Sequence, residues 1–442
     1  MQLQRLISFA ALLAFLAVLS LPARAVTLLR DPDIEHALGQ LAKPVLIAAG
    51  LSPARVKVLV IQDPNLNAFV IDNNHIFIHS GMISRLATPE ELQAVIAHEA
   101  AHIAHGHIAR RTLNARSAKN VMGIGFALAM AAAAGGKSDA AATLGIGMSS
   151  SASRTFMSHT RAEESSADQS AIRFMLRAGI DPQGAVRVME MFNGQDLLST
   201  ARQDPYARTH PMSRDRLRHT KALADAHGNK QTTTDQTAQY WFSRAKGKLT
   251  GFLRSPKWTR KRAADSAAED IRLMRLAISY HRDSNTGKAV STMQELLAKK
   301  PRDPFYHELF GQILLEGRKT SASITAYRNA VNLAPRNALI LGSFGHALLV
   351  SGNPKAALPV LQKARARDGQ DARVLRDLGQ TYAALKQPGL ASVVTAERYA
   401  LLGRLKDAGI HAKRAVGLLP RGSAGWQRAQ DVLIAADAAQ AK

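Results

Sequence analysis

Apolar residues first recur at helical spacing after Asp31-Pro32, a cap followed by proline at the first helical position, and the pattern stops before Gly50 and Pro53. One helix is predicted over about 32–49. The period then changes. Residues 56–61 are a β-branched run, and after the Asp63-Pro64-Asn65 turn come two short apolar segments, 67–71 and 75–79, joined by Asp72-Asn73-Asn74. These predict a small antiparallel sheet. Thr88, Pro89 and Glu91 then make a capping box that opens a helix carrying Leu92, Val95 and Ile96. Helical spacing returns from Ser158 to Ala178, ends at Gly179, resumes at Asp181-Pro182 towards Phe192, and starts once more beyond Thr209-His210-Pro211.

Residues 121–134 are nearly all apolar, Gly135-Gly136-Lys137-Ser138-Asp139 interrupts them, and a second Ala/Gly/Leu-rich arm follows. Each arm is too short to span a bilayer. Two readings stay open over 121–149: a pair of buried core helices, or a flap that meets membrane or unfolded substrate. The polar stretch 226–235 marks the end of a first domain. Beyond it the chain repeats itself: Gly311, Gly345 and Gly379 stand 34 residues apart, and Pro301 and Pro335 share that spacing. This is the tetratricopeptide period. Ala289, Ala330, Ala357 and Ala364 fall where paired helices must approach closely, with Phe310, Tyr327 and Leu361 filling between them. After Gly379 the register slips by about half a period, to Tyr399, Ala408, Ala415 and Pro420. Four or five helix pairs are expected, the last atypical.

Composition narrows the setting. The 442 residues, 46% of them hydrophobic, suffice for two or three domains. A polar start with Arg5, an apolar run of about 16 residues and Pro22-Ala23-Arg24-Ala25 read as a cleavable export signal over 1–25, the run falling short of the roughly 20 residues a spanning helix needs. The absence of cysteine excludes disulfides, thiolate ligands and thiol nucleophiles, so any metal must rest on His, Asp and Glu. The formal charge of +24 makes anionic partners plausible. Its densest basic stretch runs over 244–262 with Phe252 and Trp258 interleaved; for an exported chain this favours an anionic lipid or lipopolysaccharide over nucleic acid, against the plainer reading of a solvated helix joining two domains. The expected division is 1–25 signal, 26–227 first domain, 228–263 basic linker and 264–442 repeat domain.

The chemistry centres on His98-Glu99-Ala100-Ala101-His102. Helical residues advance about 100° each, so His98 and His102 lie about 40° apart on one face and can share one zinc ion, while Glu99 is turned far enough aside to reach a water without competing as a ligand. His105 and His107 follow closely. His105 lies a turn too far along the axis for the same ion and His107 points to the opposite side, so both are assigned to packing or to supporting the ligands. The helix from Ser158 offers Glu164 and Asp168 one turn apart: Glu164 could complete a His-His-Glu set and Asp168 could accept a hydrogen bond from a ligand histidine, the plainer reading being an exposed acidic face paired with Arg161.

With Arg161, Glu164, Ala167 and Asp168 in an R-x-x-E-x-x-A-D pattern behind His98-Glu99-Ala100-Ala101-His102, the chain resembles the HtpX-type and CAAX-prenyl-protease-type zinc peptidases. The resemblance implies an α+β, zincin-like metallopeptidase domain, mostly helical, followed by an all-α tetratricopeptide solenoid. It implies one zinc ion per chain on His98, His102 and Glu164, with Glu99 and Asp168 as catalytic residues and Arg161 and Arg216 supporting them. It places His210 of Thr209-His210-Pro211 over the metal as a latch. Substrate is expected as an added strand beside Asn67, Ala68 and Phe69 or beside residues 75–79. The arrangement further resembles that of periplasmic members in Gram-negative bacteria, peripheral to the outer membrane, which implies an endopeptidase with a chaperone-like role towards stalled outer-membrane proteins and their barrel assembly machinery. The competing class is a non-proteolytic tetratricopeptide adaptor or chaperone in which zinc is structural.

Overall fold

The computed structural model describes residues 27–108, 160–199, 202–210, 213–226 and 235–440. The readings made for 1–25 and 121–149 lie outside them. Strand β1, Leu28–Leu29, leads into helix α1, Pro32–Ala48, whose Asp31 cap accepts hydrogen bonds from the Asp33 and Ile34 amides. Strands β2, Lys57–Ile61, β3, Ala68–Val70, and β4, His75–His79, follow within about two residues of the predicted segments.

The sheet is mixed rather than antiparallel. Its order is β1-β2-β4-β3: β1 and β3 pair antiparallel with their neighbours, but β2 and β4 run parallel, Lys57 opposite His75 and Ile61 opposite His79. The reason lies in burial. All of β4 is buried and so is β2 beyond Lys57, so these two take the centre and push β3 to the edge. Helices α2, Ser80–Arg85, and α3, Pro89–Ala104, come next, then α4, Arg161–Arg177, α5, Gln183–Met191, the short α6, Pro205–Thr209, and α7, Arg214–Ala226. Ile34, Leu38, Leu41, Val60, Ile78, Leu92, Val95 and Ile96 form the core between α1, the sheet and α3.

Helix α8, Gln236–Leu253, corrects the reading of 228–263 as a linker. Phe242, Ala245 and Leu249 are buried in the peptidase-side core, and Gly247 and Gly251 let α8 approach Ile271, Arg275 and Ile278 of the repeat domain. Its basic residues are correspondingly internal. Arg244, 1% exposed, pairs with Asp33 at 2.7 Å and Asp303 at 2.7 Å, with the Tyr306 ring 4.0 Å away, and Lys248, 0% exposed, pairs with Asp31 at 2.9 Å. Only the end of the stretch, on and around α9, Pro256–Ala263, presents Arg254, Lys257, Trp258, Lys261 and Arg262 outwards.

The remaining helices are α10, Glu269–Arg282, α11, Thr286–Lys299, α12, Pro304–Glu316, α13, Thr320–Leu333, α14, Ala338–Val350, α15, Pro354–Arg367, α16, Ala372–Ala384, α17, Pro388–Leu401, α18, Leu405–Leu418, and α19, Ala424–Gln440. They form the expected tetratricopeptide-type solenoid. A Cβ on Gly311 would sit 2.8 Å from the Tyr327 ring and one on Gly345 2.5 Å from Leu361, while Ala289, Ala330, Ala357 and Ala364 are wholly buried. Helices at this spacing leave no room for larger residues. The solenoid closes back on the first domain: Arg30 reaches Asp368 at 2.6 Å. No helix among the described residues is long and apolar enough to cross a membrane.

Candidate metal centre

The Thr88 hydroxyl accepts from the Glu91 amide at 3.4 Å and the Glu91 carboxylate accepts from the Ala87 amide at 2.7 Å, which fixes the start of α3. His98 and His102 lie one turn apart near its other end, their Nε2 atoms 3.1 Å from each other. A second capping box, between Thr160 and Glu163, fixes α4 across from it. The Glu164 carboxylate lies 3.5 Å from His98 Nε2 and 3.4 Å from His102 Nε2. His210, at the end of α6, completes the group: one donor atom from each of His98, His102, Glu164 and His210 lies within 4.8 Å of the others. All four residues are buried.

These separations suit a shared ion. Two nitrogens each 2.0–2.1 Å from one tetrahedral zinc would stand about 3.3 Å apart. Charge points the same way. The enclosed carboxylates of Glu164 and Asp168 contact the guanidinium of Arg216 and that of Glu99 lies against His210, so with its imidazoles neutral the group carries an excess of two negative charges, which a dication offsets. Burial alone would lower the pKa of His98, but hydrogen bonds to Asp168 and Glu164 outweigh it and push it up to about 10. Burial holds His102 well below its ordinary value against the opposing hydrogen bond to Glu164, and takes His210 down to about 3, with His98 and Arg216 adding to the effect. Glu164 is held well below the carboxylate range, burial being overcome by His210, His102 and His98. The centre thus offers an ionised carboxylate on Glu164 and neutral imidazoles on His102 and His210, the forms a metal takes, while His98 would release its proton as an ion bound.

Asp168 Oδ1 lies 3.1 Å from His98 Nδ1, the ring nitrogen opposite the Nε2 that faces the other donors, and both of its oxygens accept from Arg216 at 2.7 and 2.9 Å. This makes Asp168 a positioning residue, a correction to its expected place among the catalytic groups. Arg161 is corrected too: it is exposed at the first position of α4, and of the two arginines expected to support the site only Arg216 of α7 does so among the described contacts, 2.9 Å from Glu164. Glu99 is wholly buried, its Oε1 3.4 Å from His210 Nε2.

Further side chains surround the donors, of which Tyr206 was not singled out in the sequence and His107 stands elsewhere than expected. His107 Nδ1 lies 2.8 Å from His102 Nδ1, because α3 ends at Ala104 and Gly106, at φ +65°, turns the chain back. That glycine was the available signal. His105 bridges Ser166 and Ser170 of α4, each at 3.0 Å, and so packs as expected. Tyr206 stacks on His210 with ring centroids 4.4 Å apart, and the Thr209 hydroxyl lies 2.9 Å from His210 Nδ1. The segment carrying them is pinned to the edge strand: the Tyr206 amide donates to the Leu66 carbonyl at 3.1 Å and Thr209 reaches Asn67 at 3.5 Å. Ala68 is buried and Phe69 half-buried on β3, whose outer edge has no strand beside it in the described sheet.

Comparison with known proteins agrees with the geometry. Residues 29–224 match the model of peptidase family M48. The beta-barrel assembly-enhancing protease of Escherichia coli K12 is 26% identical over 390 residues, covering 86% of this chain and 78% of that protein, and the protein of the same name in Yersinia pestis is 23% identical over 406 residues, 90% and 80%. Among solved structures, a MamA protein at 16% identity covers 39% of this chain and 92% of its own, with a TM-score of 0.31.

Proposed function

With residues 29–224 a peptidase family M48 domain, and the chain therefore a metalloprotease, we propose a zinc-dependent endopeptidase that works in the periplasm on outer-membrane β-barrel proteins and their assembly machinery. The observation that carries the peptidase chemistry is the buried His98, His102, Glu164 and His210 group beside Glu99. The names of the two relatives support the substrate class, and the export signal read over 1–25 supports the compartment. The proposed domains are those of the sequence reading, with α8 moved from the linker into the first core.

His98, His102 and Glu164 would hold zinc, one ion per chain. Zinc there supplies Lewis acidity towards the scissile carbonyl and acidifies the attacking water. Glu99 takes the proton of that water on a carboxylate oxygen and delivers it to the leaving amine. Asp168 keeps His98 Nε2 aimed at the centre by holding Nδ1, and Arg216 keeps both carboxylates in place. Substrate adds as a strand along β3 beside Asn67, Ala68 and Phe69. Retention of stoichiometric zinc by Glu99→Gln with loss of casein hydrolysis is the expected result; wild-type hydrolysis by that variant would remove the assignment.

His210 favours one specific alternative, since four protein donors are the mark of a structural site. We read it instead as a latch on the catalytic position. Its stacking on Tyr206 and the contacts of Tyr206 and Thr209 with Leu66 and Asn67 tie it to the strand where substrate would add. His210→Ala then raises casein hydrolysis. A structural, adaptor-type site predicts loss of zinc and stability with no gain in hydrolysis.

A further inference from the structure

The half-period slip has a structural outcome. Only Leu402-Gly403-Arg404 separates α17 from α18, so α17 serves both as the second helix of a pair with α16 and as the first helix of a pair with α18. Between α16 and α18, across the face of α17, runs a groove of about 640 Å³. Its charged lining is Arg376, Lys386, Arg398 and Arg414, with no carboxylate, and burial beside Arg414 keeps His411 among them on the neutral side.

Like charges collect here without the compensation seen elsewhere in the chain. Arg376 pairs with Asp377 at 2.9 Å, but Lys386, Arg398 and Arg414 form no ion pair among the described residues. Arg398 Nε is shielded from solvent and meets no hydrogen-bond acceptor, a cost that a ligand oxygen would remove. An aromatic ring helps gather the group: His411 stacks on Tyr399 at 5.3 Å, and the guanidinium groups of Arg404, itself paired with Asp407 at 2.7 Å, and of Arg398 lie 4.6 and 5.8 Å from the Tyr399 centre.

The lining also discriminates between anions. Ser392 and Thr395 already donate their hydroxyl protons to the Pro388 and Ala391 carbonyls, which leaves Gln380 and His411 as the neutral side chains with both donor and acceptor to offer, against four cationic ones that only donate. A peptide in the groove would bring an N–H at each residue to a wall of donors. A phosphate group brings acceptors alone.

We propose that this groove binds phosphate groups, taking a ligand that carries at least two of them: a soluble polyphosphate or the headgroups of an anionic lipid surface. On α18, Ile410 and Leu418 stand one turn to either side of Arg414, 61% and 50% exposed, and would meet the apolar part of such a surface.

The test uses the mature full-length protein, with tripolyphosphate titrated by calorimetry and vesicles of phosphatidylglycerol or phosphatidylcholine cosedimented. Wild-type protein binds tripolyphosphate, more weakly as salt rises. Arg398→Gln weakens binding roughly tenfold, and the double variant Lys386→Gln/Arg414→Gln does so at exposed positions where folding is not at risk. Casein hydrolysis stays at the wild-type rate in each. Binding to phosphatidylglycerol vesicles that Ile410→Ser/Leu418→Ser removes, with tripolyphosphate binding retained, identifies a lipid source; tripolyphosphate binding without vesicle binding identifies a soluble one. The proposal is overturned if no phosphate ligand binds, if the double variant binds as wild type does, or if a decaglutamate peptide binds more tightly than tripolyphosphate.

Discussion

At the scale of single residues, the centre depends as much on what holds the donors as on the donors. Asp168→Asn keeps the shape of the side chain but weakens its hold on His98 Nδ1 and Arg216, and we expect zinc affinity to fall roughly 10–100-fold, read by competition with a chromophoric chelator. Helical arithmetic along α3 was enough to find His98, Glu99 and His102, because spacing within one helix fixes which side chains share a face, whereas on α4 it offered Glu164 only as a candidate that the family resemblance then singled out. It was not enough for His107, since extending the helix through Gly106 points that residue the wrong way, nor for Arg161 and Arg216. Which of two arginines, one on α4 and one on α7, reaches a carboxylate depends on packing between helices, and spacing along one of them carries no record of it.

At the scale of elements, the cap and turn residues were legible nearly to the residue, since Asp31, Thr88 and the glycine punctuation act through local hydrogen bonds. Strand pairing is a different kind of information. The three segments that became β2, β3 and β4 were found, but short apolar runs do not say which neighbour each one takes, and the parallel pairing of β2 with β4 emerged only from their shared burial. One consequence is testable where elements touch. A Cβ on Gly81, in the first turn of α2, would fall 2.0 Å from the Pro64 carbonyl oxygen, and backbone cannot move aside as a side chain can. Gly81→Ala should cost about 1–3 kcal/mol, seen as a lower urea midpoint.

At the scale of the whole molecule, the two halves are joined by buried charge. Arg244→Met would leave Asp33 and Asp303 without their shared partner, a loss of roughly 3–5 kcal/mol that should split calorimetric unfolding into separate transitions. The same interface should respond to pH. Burial raises the Glu308 carboxyl from 4.5 to about 7, with Lys248 opposing and Asp31 adding to the shift. A raised acid stabilises the folded state fully below its unfolded pKa and loses that contribution as pH climbs through the folded one. Stability should therefore decline between about pH 5 and pH 8, a decline that Glu308→Gln flattens in denaturant titrations across that range. None of this was legible in the basic stretch itself, because a run of Lys and Arg reads as solvated until its acidic partners, more than fifty residues away at Asp303 and over two hundred at Asp33, are placed beside it. The Arg30 to Asp368 contact carries this furthest, spanning 338 residues of chain. A chain made from its amino end presents Arg30 long before Asp368 exists. The clasp beside the first strand thus closes only after the whole first domain has been made, and a molecule cut short before Asp368 would carry every donor of the metal centre without this tie to the solenoid.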